Sequence, residues 1–280
     1  MNARDSIKRM LRGEHRAPAF LPELEALAPA LAGCSAAAMT ASASSWVSGL
    51  QQATHLLSSD ALCIGFDPRH AIASCRANMA EPEMTAPMAV LFDAADRLFA
   101  ENRNQLACVI ALAGPATMAA HLAPGAGERE AMAAIKPAAT RLVEQACRLR
   151  PDLVVFVEEE GRLAAGPSPE LRRLLATLRR VAAHYGVATG IKAPGGTGLE
   201  ALGCEVLFQD AASPPPSTSW QAIVVALPND PHQAGQMARQ TLAGRPPQGP
   251  AIAFGITGLA PTADFEQLRS IQATIAALAA

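Results

Sequence analysis

The sequence has almost no net charge and no long hydrophobic run, and each of these absences argues against a class of protein. Its formal net charge is −2, so it shows no excess of basic residues that would favour a nucleic-acid partner. The longest apolar stretches, such as Val109–Ala120, are shorter than the ~20 residues that span a bilayer. No apolar segment follows the charged N-terminus, so a secretory signal is not expected. We therefore predict a cytoplasmic protein without nucleic-acid or membrane partners.

Sequence motifs for metal binding and nucleophilic catalysis are also missing. The cysteines are scattered, without a C-x-x-C or a cysteine–histidine pair at ligand spacing. There is no H-E-x-x-H and no serine nucleophile elbow. The glycine-rich stretch Gly195–Gly198 follows a predicted strand, but it has neither the P-loop nor the dinucleotide-binding pattern. The sequence predicts reduced thiols and no tightly bound cofactor or metal, although ligation by carboxylate oxygens stays open.

The stretch Asp152–Glu160 is the clearest strand. Five apolar residues follow Asp152, a run that is too short for a helix and typical of a strand buried on both faces. The run ends in Glu158, Glu159 and Glu160. In parallel α/β folds, functional sites lie at the C-terminal ends of the strands. The sequence therefore predicts a site at this end, with Glu160 solvated.

Similar apolar runs recur along the chain and alternate with helical patterns. Eight strand candidates begin near positions 18, 61, 106, 152, 187, 204, 221 and 250. Eight such strands predict a single (β/α)8 TIM barrel over residues 1–280, in which 1–57 form an N-terminal helical segment and the first strand. Within this pattern, we expect a helix over 22–32 and a short hairpin arm over 71–75, and no convincing helix in the proline-rich crossover at 213–217.

In a barrel, the residues just past each strand share one face, and here they form an acid-rich ring. The candidate catalytic residues are Asp67, His121, Glu158, Glu159 and Lys192, and the candidate substrate-binding residues are Gly114, Asp210, Asn229 and Thr257, with Glu23 near the first strand. These parts suit general acid–base chemistry or a cationic or hydrogen-bonding ligand.

Each of these candidates also has a structural interpretation. Asp67 precedes a proline and is in a common turn-starting position. His121 could cap or pack on its helix. Lys192 follows a core strand, so it could form a salt bridge to a neighbouring glutamate, anchor a phosphate or carboxylate, or serve as a desolvated Schiff-base nucleophile.

Several segments together resemble the superfamily of uroporphyrinogen decarboxylases and corrinoid-dependent methyltransferases. The segments are Ile7–Glu14 with Arg16–Pro18, Phe20–Glu23, Gly65–Pro68, Gly114–Met118, the strand at 152–158 with Pro167–Pro169, and Gly255–Pro261. The resemblance covers nearly the whole chain in order and spacing. It implies a single (β/α)8 barrel with a pocket at the mouth of the barrel.

The resemblance also shows which family residues this chain lacks. The aspartate of the decarboxylases corresponds to Asp67, but their arginine pair is absent, and their tyrosine and late histidine correspond to His121 and Thr257. The zinc methyltransferases carry H-x-C where this chain has Gly190-Ile-Lys192, and a late cysteine at Thr257. The soft ligands that a zinc–thiolate mechanism requires are therefore missing, and bound zinc is not expected.

The sequence thus predicts a divergent member of this superfamily that transfers a methyl group involving a corrinoid or another small methyl donor. In this reading, Asp67 or Glu159 handles the proton of a leaving group and Lys192 anchors an anion. A decarboxylase acting on uroporphyrinogen or another tetrapyrrole is the first alternative. A non-catalytic barrel that binds a corrinoid or a partner protein is the second. A corrinoid protein and a second copy of the chain are possible partners.

Overall fold

The computed structural model describes residues 2–14, 17–209, 219–245 and 249–279. The strands are β1 Ala19–Phe20, β2 Ala61–Ile64, β3 Ala107–Ala113, β4 Leu153–Val157, β5 Ala188–Lys192, β6 Val206–Gln209, β7 Ala222–Leu227 and β8 Ala251–Ile256. The helices are α1 Ala3–Leu11, α2 Ala28–Leu31, α3 Ala36–Thr40, α4 Ala43–Leu56, α5 Arg69–Ala77, α6 Met88–Asn102, α7 Pro115–Leu122, α8 Glu128–Arg148, α9 Pro169–His184, α10 Pro231–Ala243 and α11 Phe265–Ala279. Two short 3-10 helices lie at Pro82–Met84 and Leu199–Leu202.

The eight strands form one parallel sheet in the order β1-β8-β7-β6-β5-β4-β3-β2. The backbone N–H of Phe20 donates to the carboxylate of Asp60 at 2.8 Å, and the N–H of Asp60 donates to the Phe20 carbonyl at 3.0 Å. These bonds join β1 to the residue before β2, so the sheet is a nearly closed barrel. The predicted (β/α)8 barrel is therefore confirmed.

Alternation along the strands separates the core into two layers, as the period of two requires. Val155 and Val157 pack inside the barrel with Phe208, whereas Val154 and Phe156 pack outward against the helices. This explains why the β4 sequence is apolar at every position.

Helix α1 closes the N-terminal end of the barrel. Its apolar residues Ile7 and Met10 belong to the interior layer. Asp152, buried just before β4, accepts two hydrogen bonds from the Arg4 guanidinium and one from the N–H of Cys108. Asp152 thus holds this end of the barrel together, far from the mouth.

Two local predictions were wrong. The segment expected as a hairpin arm over 71–75 lies within α5, which begins directly after Asp67-Pro68 and buries Ala71, Ile72 and Cys75. The helix expected over 22–32 is confined to Ala28–Leu31, because the N–H groups of residues 21 and 23 donate to β8 carbonyls and keep this segment extended. The crossover at 213–217 lies outside the described residues.

Candidate functional site

A cleft of about 1200 Å³ opens at the C-terminal mouth of the barrel. It lies between the segment that follows β1, the loop and first turn of α5 that follow β2, and the loop after β8. Trp46, Phe66 and Leu259 contribute apolar surface to its walls, and Glu23, Glu25, Asp67 and His70 contribute polar groups. This position is where (β/α)8 enzymes carry their sites.

A salt bridge crosses the mouth of the barrel from the end of β5 to the segment after β1. These two strands are four positions apart in the order of the eight strands, so they face each other across the barrel. The Lys192 ammonium lies 2.6 and 2.7 Å from the two carboxylate oxygens of Glu23. It also lies over the Phe66 ring, 5.6 Å from the ring centroid. The sequence left a salt bridge, an anion anchor and a Schiff-base nucleophile open as roles of Lys192. The structure shows the salt bridge. An anionic ligand would have to displace Glu23 to reach this ammonium.

Glu25 is a half-buried carboxyl group in the cleft that was not among the residues predicted from the sequence. Its carboxylate accepts a hydrogen bond from the N–H of Gly65. Burial raises the pKa of Glu25 to about 7, and the negative charges of Glu23 and Asp67 act in the same direction, against the hydrogen bonds from Gly65 and Phe66. Glu25 is therefore largely protonated at slightly acidic pH and can donate a proton near neutrality.

The signal for Glu25 was present in the sequence as an alternation. Leu21, Glu23 and Glu25 are two residues apart, so an extended segment directs all three to one side. Leu21 packs in the barrel interior, and Glu23 and Glu25 continue this side into the mouth. This alternation was not recognised because a helix was expected over 22–32, and residues two apart do not share a face of a helix.

Asp67 lies in the cleft as predicted, but its carboxylate is paired. Arg69 donates to it from Nε at 2.8 and 3.0 Å and from the terminal nitrogen at 2.6 Å. Although burial acts to raise the pKa of Asp67, the hydrogen bonds from Arg69 lower it overall. Asp67 is thus an ionised carboxylate at neutral pH, better suited to accept a hydrogen bond than to donate a proton.

His70, in the first turn of α5, is the second cleft residue that the sequence analysis missed. Its ring packs edge-on against Trp46, with centroids 5.9 Å apart. Its Nδ1 atom is buried and has no hydrogen-bond partner among the described residues. Burial lowers the pKa of His70, and Arg69 acts in the same direction against Asp67. His70 therefore contributes a neutral imidazole to the lining of the cleft.

Glu158 is buried and serves the fold. Its two carboxylate oxygens accept hydrogen bonds from the N–H groups of Ala116 and Thr117, at 3.0 and 2.7 Å, at the start of α7. Burial raises the pKa of Glu158, and these hydrogen bonds oppose the rise. Gly114 leaves room for this carboxylate, because a Cβ atom at this position would overlap it. The structure thus gives both residues a structural role at the N-terminus of α7.

Glu159 and His121 form a second, more exposed cluster that does not line the cleft. The His121 Nε2 atom lies 2.8 Å from a Glu159 oxygen, and Arg162 donates to the other oxygen at 3.0 Å. Burial acts to raise the pKa of Glu159, but the hydrogen bonds from His121 and Arg162 lower it overall. The cluster joins the end of α7 to the loop after β4.

The remaining sequence candidates lie apart from one another. Thr257 lies with Glu23, Lys192 and Phe208 around a small cavity below the cleft. Asn229 is exposed on the loop after β7. Asp210 lies outside the described residues.

The residues at the positions that correspond to the zinc ligands of the similar methyltransferases do not suit zinc. Lys192 stands at the place of a ligand, and its ammonium is held by Glu23. A lysine in an ion pair and the hydroxyl of Thr257 are poor substitutes for the thiolates and imidazole that zinc prefers. Across the described ranges, no three His, Cys, Asp or Glu side chains are grouped so that they could hold a metal ion. Within the same ranges, no helix is long and apolar enough to cross a membrane.

Comparison with solved structures agrees with the barrel fold. The chain is similar to a methyltransferase from Methanosarcina mazei, with a TM-score of 0.76 and 13% sequence identity over 100% of both chains. It is also similar to the tryptophan synthase alpha chain from Legionella pneumophila subsp. pneumophila, with a TM-score of 0.49 and 12% identity over 99% and 98% of the two chains. No family model and no curated protein sequence matches the chain. The chain therefore has the TIM-barrel fold that this methyltransferase also has.

Proposed function

We propose that this chain is a divergent member of the uroporphyrinogen decarboxylase and corrinoid-dependent methyltransferase superfamily that transfers a methyl group in the mouth cleft. The observation that carries the proposal is the position of Glu25, a carboxyl group with a pKa of about 7 among apolar walls at the mouth of a methyltransferase-type barrel. The methyl donor would be a corrinoid, free or held by a corrinoid protein, or another small methyl compound.

Acid assistance is the chemistry that the cleft residues can supply without a thiolate–zinc site. When a methyl group leaves an oxygen or nitrogen atom, that atom gains negative charge, and a nearby acid stabilises it by donating a proton. Glu25 suits this role better than Asp67 or Glu159, because their cationic partners keep both of those carboxylates ionised. Here Glu25 replaces the proton donors expected from the sequence.

The volume of the cleft also supports a large ligand or two substrates. Small-molecule pockets usually measure about 300–1,000 Å³. The cleft, at about 1200 Å³, exceeds this range. Its walls are mainly apolar, which suits a methyl donor with a hydrocarbon body or the edge of a tetrapyrrole.

Decarboxylation of a tetrapyrrole is less well supported. Among the described residues, three carboxyl groups line the cleft, at Glu23, Glu25 and Asp67, whereas the one arginine there, Arg69, has an 83% exposed side chain. This charge distribution disfavours a polycarboxylate substrate. A non-catalytic barrel is favoured by one observation, namely that Lys192 and Asp67 are both engaged in internal ion pairs.

Absorption spectroscopy can separate these three functions. The purified protein would be titrated with hydroxocobalamin and, separately, with uroporphyrinogen. It would then be tested for methyl transfer from methylcobalamin and from O-methyl donors, and for release of carbon dioxide from uroporphyrinogen. Corrinoid binding with methyl transfer supports the proposal. Carbon dioxide release would establish the decarboxylase, and binding without turnover would establish the non-catalytic barrel.

Two variants test the roles first expected from the sequence. Lys192→Ala and Glu159→Gln should change the rate of methyl transfer if Lys192 anchors an anion and Glu159 handles a proton. Unchanged rates in both variants would remove these two residues from the mechanism.

A further inference from the structure

The titratable side chains at the mouth differ in whether they have a charged partner. Glu23 is paired with Lys192 and Asp67 with Arg69. Glu158 is held by N–H groups at the start of α7. These groups are neutralised or fully bonded within the protein. These ion pairs and hydrogen bonds therefore stabilise the mouth of the barrel without any ligand.

Glu25 and His70 differ from these groups, because both line the cleft and neither is in an ion pair within the described residues. Within the described part of the chain, Glu25 is held by backbone N–H groups, and its neighbouring charges are the carboxylates of Glu23 and Asp67. His70 has a buried Nδ1 atom without a partner, and its nearest charges are Asp67 and Arg69. Buried polar atoms in native proteins are nearly always satisfied, so a histidine whose buried nitrogen lacks a partner is not explained by packing alone.

The two residues lie on separate elements but line one cleft. Glu25 belongs to the segment between β1 and α2, and His70 to the first turn of α5. Their environments favour opposite proton states. Burial keeps a proton on Glu25 up to about pH 7, whereas burial keeps His70 neutral. A carboxylic acid and a neutral imidazole in one cleft are a proton donor and a proton acceptor.

We propose that Glu25 and His70 are the acid–base pair of this cleft, with Glu25 donating a proton to the leaving atom of the methyl donor and His70 accepting one from the attacking group. This inference rests on the proposed methyl transfer and specifies its chemistry. The donor then has an oxygen or nitrogen leaving atom, and the acceptor is protic. Of the two kinds of methyl donor proposed above, this selects the small methyl compound, because the leaving atom of a methylcorrinoid is cobalt.

The atoms and electrons balance without an oxidant or reductant. The acceptor atom attacks the methyl carbon and forms the new bond, while the bond from carbon to the leaving atom breaks and its electron pair stays on that atom. The leaving atom takes the Glu25 proton, and His70 takes the proton of the acceptor. The imidazolium then returns a proton to the Glu25 carboxylate through solvent. The net reaction exchanges a methyl group for a proton between the two substrates.

Titration of the free protein tests the pair without any substrate. The protein would be labelled with ¹³C at the carboxyl carbon of glutamate and at the Cε1 atom of histidine, and its NMR spectra recorded against pH. The signals missing from Glu25→Gln and His70→Asn assign the two groups. We expect Glu25 to titrate near pH 7 and His70 below its ordinary range. Ordinary titration of either residue would overturn the proposal.

The choice of methyl donor distinguishes an acid from a structural residue. The phenolate that leaves 4-methylanisole must be protonated, whereas trimethylsulfonium leaves as neutral dimethyl sulfide. General acid catalysis contributes about 10²–10⁴-fold, so Glu25→Gln should lose at least ~100-fold with 4-methylanisole and less than ~3-fold with trimethylsulfonium. Equal losses with both donors would overturn the role of Glu25. Glu144→Gln, on the outer helix α8, is the matched control and should match the wild type.

The choice of acceptor makes the same distinction for His70. The thiol of 2-mercaptoethanol is largely protonated at neutral pH, whereas thiophenol is already ionised. His70→Asn should lose at least ~100-fold with the former and little with the latter, because only the protonated thiol needs a base. Equal losses with both acceptors would overturn the role of His70. His184→Asn, exposed at the end of α9, is the control.

Methyl transfer and the acid–base roles of Glu25 and His70 can be refuted separately. If both groups titrate as expected but the wild type transfers no methyl group from any of the donors, methyl transfer is wrong, and the opposite proton states of Glu25 and His70 stand. If methyl transfer occurs but the leaving group and the acceptor make no difference to the two variants, methyl transfer stands and the pair is wrong.

Discussion

Replacing Lys192 by methionine should destabilise the barrel, because it leaves the Glu23 carboxylate without its cation. The ammonium lies 2.6 and 2.7 Å from the carboxylate oxygens, and the two side chains are 17% and 12% exposed. Removing one partner of a buried pair costs ~3–5 kcal/mol, and this residual exposure puts the expected loss at the lower end, about 3 kcal/mol.

This loss converts into a measurable change of melting temperature. An unfolding entropy of about 2.1 cal/mol/K per residue gives roughly 0.6 kcal/mol/K for the 280 residues. A loss of about 3 kcal/mol therefore lowers the melting temperature by about 5 °C. Differential scanning calorimetry and urea unfolding would both measure the effect.

A double-mutant cycle isolates the interaction between the two residues. Glu23→Gln and Lys192→Met should each destabilise the protein, and the double variant should recover a large part of the loss, with a coupling energy of about 2 kcal/mol. The exposed pair Asp93–Arg97 on α6 is the control, and Asp93→Asn should cost less than ~0.5 kcal/mol. A coupling energy below ~0.5 kcal/mol for Glu23 and Lys192 would refute the reasoning.

Three further predictions concern the two ends of the barrel. Asp152→Ala should cost about 3 kcal/mol in urea unfolding, because it leaves the Arg4 guanidinium and a buried N–H without their acceptor; a loss below ~1 kcal/mol would contradict this. Gly114→Ala should cost ~1–3 kcal/mol, because the added Cβ displaces the Glu158 carboxylate, and wild-type stability in this variant would show that the carboxylate moves freely. Because the pKa of Glu25 in the folded protein is about 7, above its ordinary 4.5, the folded state binds more protons between these values. The stabilisation is complete below about pH 4.5 and is lost as the pH rises through about 7, by about 3 kcal/mol in total. Glu25→Gln should flatten this slope in unfolding measured from about pH 5 to 8, and an unchanged slope would assign it to another group.

The barrel could be predicted because its strands are buried on both faces. A strand such as β4 must then be apolar at every position, and this pattern is visible without any knowledge of its neighbours. The helices between the strands were predicted from helical patterns that alternate with the strands. In the structure α9 begins at Pro169, in the first turn where proline is favoured, and Ser168 caps it.

The segments after β1 and β2 could not be predicted in this way. Residues 21 and 23 stay extended because their N–H groups bond to β8, a partner more than 200 residues away in the chain. The helix α5 was obscured because Asp67-Pro68 equally starts a turn. Since Glu25 and His70 lie on these two segments, the errors in secondary structure were also the errors in the site.

The sequence alone determined the barrel, the position of the mouth and the presence of carboxylates there, because hydrophobic periodicity and strand ends are local properties of the chain. Only the tertiary structure decided which carboxylates are paired. The partner of Lys192 is Glu23, 169 residues away, and that of Glu158 is the start of α7. Whether a carboxyl group is ionised depends on burial and on charges brought close by folding. In the folded protein, Glu158 and Glu159 at the end of β4 are held by hydrogen bonds from neighbouring residues. The proton donor that we propose for the cleft is therefore Glu25.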